Sequence, residues 1–109
     1  MKYNLEYIST FHSDIIDIAS NLEEYPQKAK RIFEMMDKKL LNLIDSPELY
    51  PVYSDFPAFR RIVIDDYLLF YIINEKAKII EVHRLIYGRM DVIAQLSLDT
   101  CTAAPEAQL

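Results

Sequence analysis

Residues 59–91 read FRRIVIDDYLLFYIINEKAKIIEVHRLIYGRMD, and the reading of this stretch decides the fold. Three apolar runs are separated by two polar breaks, Asp65-Asp66 and Asn74-Glu75-Lys76. Branched and aromatic runs bounded by such breaks predict strands over about Phe59 to Asp65, Tyr67 to Ile73 and Lys78 to Tyr87. Breaks this short predict antiparallel neighbours. The middle run, YLLFYII, is apolar on both faces, so it is expected to be a central strand covered on both sides. The last strand ends in a knot of cationic and aromatic residues, His83, Arg84, Tyr87 and Arg89, around Gly88, the chain's only glycine. A sheet needs no guanidinium groups at a strand exit, and such ends carry sites more often than strand middles do.

Working back from this stretch, residues 47–57 hold three prolines, two tyrosines and no clear period, and read as a surface loop. Tyr50 and Tyr53 there read as aromatics that tack the loop onto the core, rather than as contacts for a partner. Upstream, Pro26 suits the first turn of a helix, whose apolar face is Ala29, Ile32, Phe33, Met36, Leu40 and Leu43. This helix ends by Ser46-Pro47, because a proline pushes the residue before it out of the helical region. Phe11, Ile15, Ile18 and Leu22 form the stripe of an earlier helix, with Ser9 or Thr10 as its expected cap and Asp14 near its positive end. Before that helix, Lys2 to Ile8 alternates as a strand.

Working forward, Asp91 to Leu98 predicts a short helix with Val92, Ile93 and Leu96 as its apolar face. The expected domain is residues 1–98, with 99–109 a loose tail. The order strand, helix, helix, three strands, short helix implies an α+β fold, with the helix hairpin on one face of the sheet. The other face, also apolar, must be covered by the C-terminal segment, a partner or water.

A chain of 109 residues that is 51% apolar can bury a core as one domain without staples. Its formal net charge of −5 forgoes the general attraction to phosphate that most nucleic-acid binders use. With one cysteine, Cys101, no intramolecular disulfide forms, and a reducing compartment is compatible. No signal-peptide pattern opens the chain and no apolar run reaches bilayer length, so a cytoplasmic protein away from membranes is expected.

Several chemistries are excluded. His12 and His83 sit in no metal-ligand pattern, so neither metal nor cofactor is expected. A single glycine rules out GxGxxG and P-loop motifs, and no GxSxG nucleophile is present. What remains is cationic: Arg60, Arg61, Arg84 and Arg89, with Tyr87 and His83. Guanidinium forks hold phosphate oxygens at two points, and a tyrosine or histidine can move protons. Against this, Arg84 can equally be a half-buried ion pair, while His83 and Arg61 read as ordinary strand residues.

FRRIVIDDYLLFYIINE followed by IIEVHRLIYGRMD resembles the C-terminal half of the RelE/ParE superfamily of type II toxins. The opening YNLEYISTFHSDIIDIASNL resembles its first strand and helix, and the Pro47 region its proline junction, so the likeness spans about residues 2–97. It implies a compact toxin, part of a plasmid stabilisation system, silenced by a cognate antitoxin. By position, Arg60 matches the arginine after the family's aromatic, and Tyr67 and Tyr71 match its paired tyrosines. Arg84, Tyr87, Gly88, Arg89 and Asp91 match its terminal motif. As target- or partner-binding residues the resemblance points to Arg60, Arg84, Tyr87, Arg89 and Asp91. The first four are also the candidates for catalysis.

The departures favour one branch. Ribosome-dependent ribonucleases of the RelE branch carry a cation inside the tyrosine strand, where this chain has Leu68, Leu69 and Phe70, and a tyrosine in the last helix. Met90 also stands where the terminal motif usually has a second arginine. The chain therefore sits closer to the ParE branch, which inhibits DNA gyrase. The alternatives are an mRNA endonuclease acting on the ribosome, and a non-toxic relative kept as a binding module. A homodimer or an antitoxin complex is the expected cover for an open sheet face.

Overall fold

The computed structural model describes residues 2–88 and 92–96. The elements are β1 (Asn4–Tyr7), α1 (Ser9–Asn21), α2 (Pro26–Asp45), β2 (Arg60–Ile64), β3 (Tyr67–Asn74) and β4 (Ile79–Tyr87), followed by a helical turn at 92–96. The strands make one four-stranded sheet in the order β1-β4-β3-β2. Both hairpins are antiparallel, while β1 lies parallel to β4. The α+β order read from the sequence holds. The parallel pairing is new, since period-two alternation is the same in either strand direction.

The alternation of β3 splits the core in two. Tyr67, Leu69 and Tyr71 face the helices, where they join Ile62 and Ile64 from β2 and Ile80, Val82 and Leu85 from β4. Against them pack Phe11, Ile18 and Leu22 of the first helical stripe, and Ile32, Met36, Leu40 and Leu43 of α2. The α2 residues recur at 4, 4 and 3 positions, which keeps them on one side of a 3.6-residue helix. Each fully buried aliphatic chain of this kind contributes about 2 kcal/mol.

On the opposite face, Phe70 of β3 and Ile86 of β4 pack with Phe59, Val92 and Leu96, flanked by Leu68, Ile72, Tyr53 and Phe56. This face is thus covered by the 47–59 loop as well as by the 92–96 turn. Of the covers weighed from the sequence, the chain itself supplies much, although Val63 of β2 stays exposed on this face. Among the described residues of the last helix, Val92 and Leu96 are buried and Ile93 is exposed.

The loop is held tightly for a segment without period. Tyr53 N–H donates to Phe59 at 2.8 Å, Arg61 N–H to Pro51 at 3.1 Å, and the Tyr71 hydroxyl to the Pro47 carbonyl at 2.8 Å. Tyr50 packs on the first cluster and Tyr53 on the second, so both fasten the loop as expected.

The start of α1 departs from the sequence reading. Its cap is Ile8, which offers no side-chain hydrogen bond, and Thr10 instead donates to the His83 carbonyl at 2.9 Å. Asp14 lies beyond the first turn and turns to β4. A buried cation there is a stronger partner than a helix end, whose field fades within one turn.

A bulge interrupts β4. The register passes from Phe70↔Arg84 to Tyr71↔Val82, leaving His83 as the extra residue. Even-numbered Ile80 and Val82 face the helices before it, and odd-numbered Leu85 after it. His83 therefore occupies no ordinary alternation position, contrary to the sequence reading. Bulges re-aim side chains in this way next to sites.

Candidate functional site

At the exit of β4, Arg84 ties three elements together. Its Nε donates to Asp14 Oδ2 at 2.7 Å and its Nη2 to Oδ1 at 3.0 Å, a fork-to-fork pair between β4 and α1. Its Nη1 reaches the Gln95 carbonyl at 3.1 Å, and Nη2 the Gln95 Oε1 at 3.3 Å. Asp14 Oδ2 also accepts the Leu85 N–H at 2.9 Å. Both charged side chains are mostly buried, 13% exposed for Arg84 and 12% for Asp14. A charge-assisted bidentate pair this short fixes position as well as adding energy. Arg84 holds the last helical turn and α1 to the sheet.

Beside this clasp, between α1 and the β3–β4 end, lies a cleft of about 520 Å³. Its walls include Asp17, Asn21, Tyr67, Arg84, Tyr87 and Gln95. The rings of Tyr67 and Tyr87 meet at 5.5 Å between centroids, directly opposite each other in the β3–β4 register. Burial pushes the Tyr67 hydroxyl above its ordinary pKa; Lys28 opposes this, and Tyr87, Asp66 and Asp65 add to it. Gly88 closes the strand where the backbone comes closest: its N–H donates to the Asp66 carbonyl at 2.8 Å, and a Cβ there would meet that oxygen at 3.1 Å.

Of the residues singled out in the sequence, Arg84 and Tyr87 share this cleft. Arg60 is elsewhere, in a shallow hollow with Glu48, Val52 and Ile72, where it donates to the Tyr50 carbonyl at 2.8 Å and faces Glu48 at 3.7 Å. Arg61 lies over the Tyr53 ring at 5.3 Å. His83 meets Glu81 at 3.2 Å and the edge of Phe59 at 5.4 Å between centroids. Arg89, Asp91 and Met90 fall outside the described residues, as do Cys101 and the tail from 99 onward. Among the described residues, no three His, Cys, Asp or Glu side chains converge as a metal ion would need. None of their helices is long and apolar enough to cross a membrane.

Asp14, Asp17, Asn21 and Gln95 were missed. A signal was present, because Asp14, Asp17 and Asn21 are spaced by 3 and 4 and so form one polar stripe on α1. Nothing in the sequence says that this stripe faces β4.

A family profile, the ParE toxin of the type II toxin–antitoxin system parDE, matches residues 5–92. The chain belongs to this family. The ParE-family chain is similar in fold to the E. coli toxin RelE, solved free as a double arginine-to-alanine mutant. The TM-score is 0.64 at 16% identity, over 87% of this chain and 93% of that one. It is likewise similar to a chain of the RelBE2 toxin–antitoxin complex from Mycobacterium tuberculosis, with a TM-score of 0.58 at 13% identity, over 80% and 99% of the two chains. No curated protein sequence matches it. Within the ParE-family chain, the paired tyrosines of the resemblance part ways. Tyr67 lines the cleft, whereas Tyr71 is fully buried under the loop with a pKa pushed up by burial to about 12.

Proposed function

We propose that this chain is a ParE-type toxin that arrests growth by gripping a protein target, DNA gyrase being the target its branch implies, and that a cognate antitoxin silences it. One observation carries the reading: the Arg84 guanidinium is engaged by Asp14 and Gln95 rather than presented to solvent. Turning it to an RNA phosphate would leave the Asp14 carboxylate buried and unpaired, which is strongly unfavourable. The Asp17 carboxylate on the cleft wall and the net charge of −5 add repulsion for a phosphodiester.

In this reading Arg84 is a positioning residue, and Tyr87 with the adjoining Arg89 and Asp91 forms the contact surface. Arg60 keeps the 47–59 loop in shape at its flank. The likeness to a chain solved within a toxin–antitoxin complex supports the antitoxin as partner.

The test is induced expression in a bacterial host, with growth, RNA integrity and plasmid supercoiling followed together. Arrest with intact mRNA and altered supercoiling is expected. Rapid cleavage of translated mRNA overturns the reading in favour of the ribonuclease, and absence of arrest overturns it in favour of a non-toxic relative.

A further inference from the structure

The cleft beside the Arg84 clasp contains polar groups that the fold itself does not use. Tyr67 is 93% buried by its 7% exposure, yet its hydroxyl makes no hydrogen bond among the described residues. That oxygen is not sealed in the core, because no fully buried side-chain oxygen or nitrogen among the described residues lacks a partner. It opens where Tyr67 lines the cleft. The Tyr87 hydroxyl across the same cavity is likewise without a hydrogen bond among the described residues, as is the exposed carboxylate of Asp17 on the wall.

Charge selects the occupant. Among the described residues, the cations at this end of the sheet are already engaged: Arg84 with Asp14 at 2.7 Å, Lys28 with Asp66 at 3.3 Å and Arg31 with Asp65 at 3.3 Å. Asp17 makes no ion pair among the described residues, and it lines the cleft together with two aromatic rings and Asn21. An anion would meet a carboxylate and the electron-rich faces of two phenols. A cation would meet attraction from each of them. Among cations, a guanidinium suits best. It is planar, stacks on tyrosine, and directs five donors at acceptors spread around it, while a lysine ammonium has three.

We propose that this cleft receives an arginine side chain of a partner polypeptide, its guanidinium against Tyr67 and Tyr87 and its outer edge on Asp17. The proposal deepens the protein-target reading by naming the chemistry of the group gripped. A volume of about 520 Å³ admits one such side chain with its neighbouring backbone.

The test uses the purified full chain with ring-labelled tyrosine, titrated with N-acetylarginine amide and, separately, with N-acetylcitrulline amide and inorganic phosphate. Ring signals are assigned through Tyr67→Phe and Tyr87→Phe. Saturable shifts confined to Tyr67 and Tyr87 are expected for the arginine probe, with the uncharged citrulline probe at least about fivefold weaker. Asp17→Asn, at an exposed position that the fold tolerates, is expected to weaken arginine binding about threefold. Equal binding of citrulline, a response of the same rings to phosphate, or no saturable shift overturns the proposal. Because the readout is binding by the isolated chain, it can fail while growth arrest through a protein target stands, and the reverse.

Discussion

Asp14 shows how one side chain can be read correctly as polar and yet be misplaced. Near a helix start it would be worth a few tenths of a kcal/mol; clasped to Arg84 at 2.7 Å with 12% exposure, it holds a buried cation. Asp14→Ala is therefore expected to destabilise the fold by about 3 kcal/mol, because Arg84 is left buried without its counter-ion. Replacing both partners with apolar side chains, Asp14→Leu with Arg84→Met, should cost less than Asp14→Ala alone, as urea unfolding of the parent and these two variants would show. Tyr71 makes a second prediction at this scale. Folding raises its pKa to about 12 from 10.0, so the folded state keeps a proton that the unfolded chain releases first. Its contribution is complete below pH 10 and is lost as pH rises toward 12. Stability measured across that window should fall in the parent and fall less in Tyr71→Phe, which also loses about 1 kcal/mol at neutral pH with the bond to Pro47.

Among the elements, the strands and both helices were legible because their signals are local: an unbroken apolar run between polar breaks in β3, period 3.6 in α2, and proline at each end of α2. What was not legible is what lies across from each of them. The 47–59 loop has no period, and only the folded chain shows that it covers a sheet face with Tyr53, Phe56 and Phe59. The bulge at His83 is equally silent, since VHRLIY reads as one uninterrupted strand. The helical turn at 92–96 depends on Val92, Leu96 and the two bonds from Arg84 to Gln95, having too few residues to be stable alone. Leu96→Ala is expected to cost about 3 kcal/mol by opening a cavity beneath the turn. It should also raise amide exchange at 92–96 ahead of β3, and exchange rising equally in both would mean that the turn does not hang on Leu96.

For the molecule as a whole, the two apolar clusters are opposite faces of the same strands, with Tyr71 in one and Phe70 in the other. Neither can be lost without exposing the sheet to water, so one cooperative transition is expected, with backbone and tyrosine signals coinciding in urea. Separate transitions would mean that the loop and the helical turn melt as a unit of their own. By itself the sequence determined the α+β order, the doubly covered middle strand, the membership in a toxin family and the pairing of Arg84 and Tyr87 at one strand exit. The family is legible from the resemblance of its motifs; the rest follows from periodicity and from short-range spacing, which are properties of neighbours along the chain. The tertiary structure alone decided that β1 runs parallel to β4, that the 47–59 loop helps cover the second sheet face, and that Arg84 is gripped by a carboxylate 70 residues away. Contacts of that kind depend on where elements come to rest against one another, and a burial pattern says only that a residue is inward, not what it will meet there.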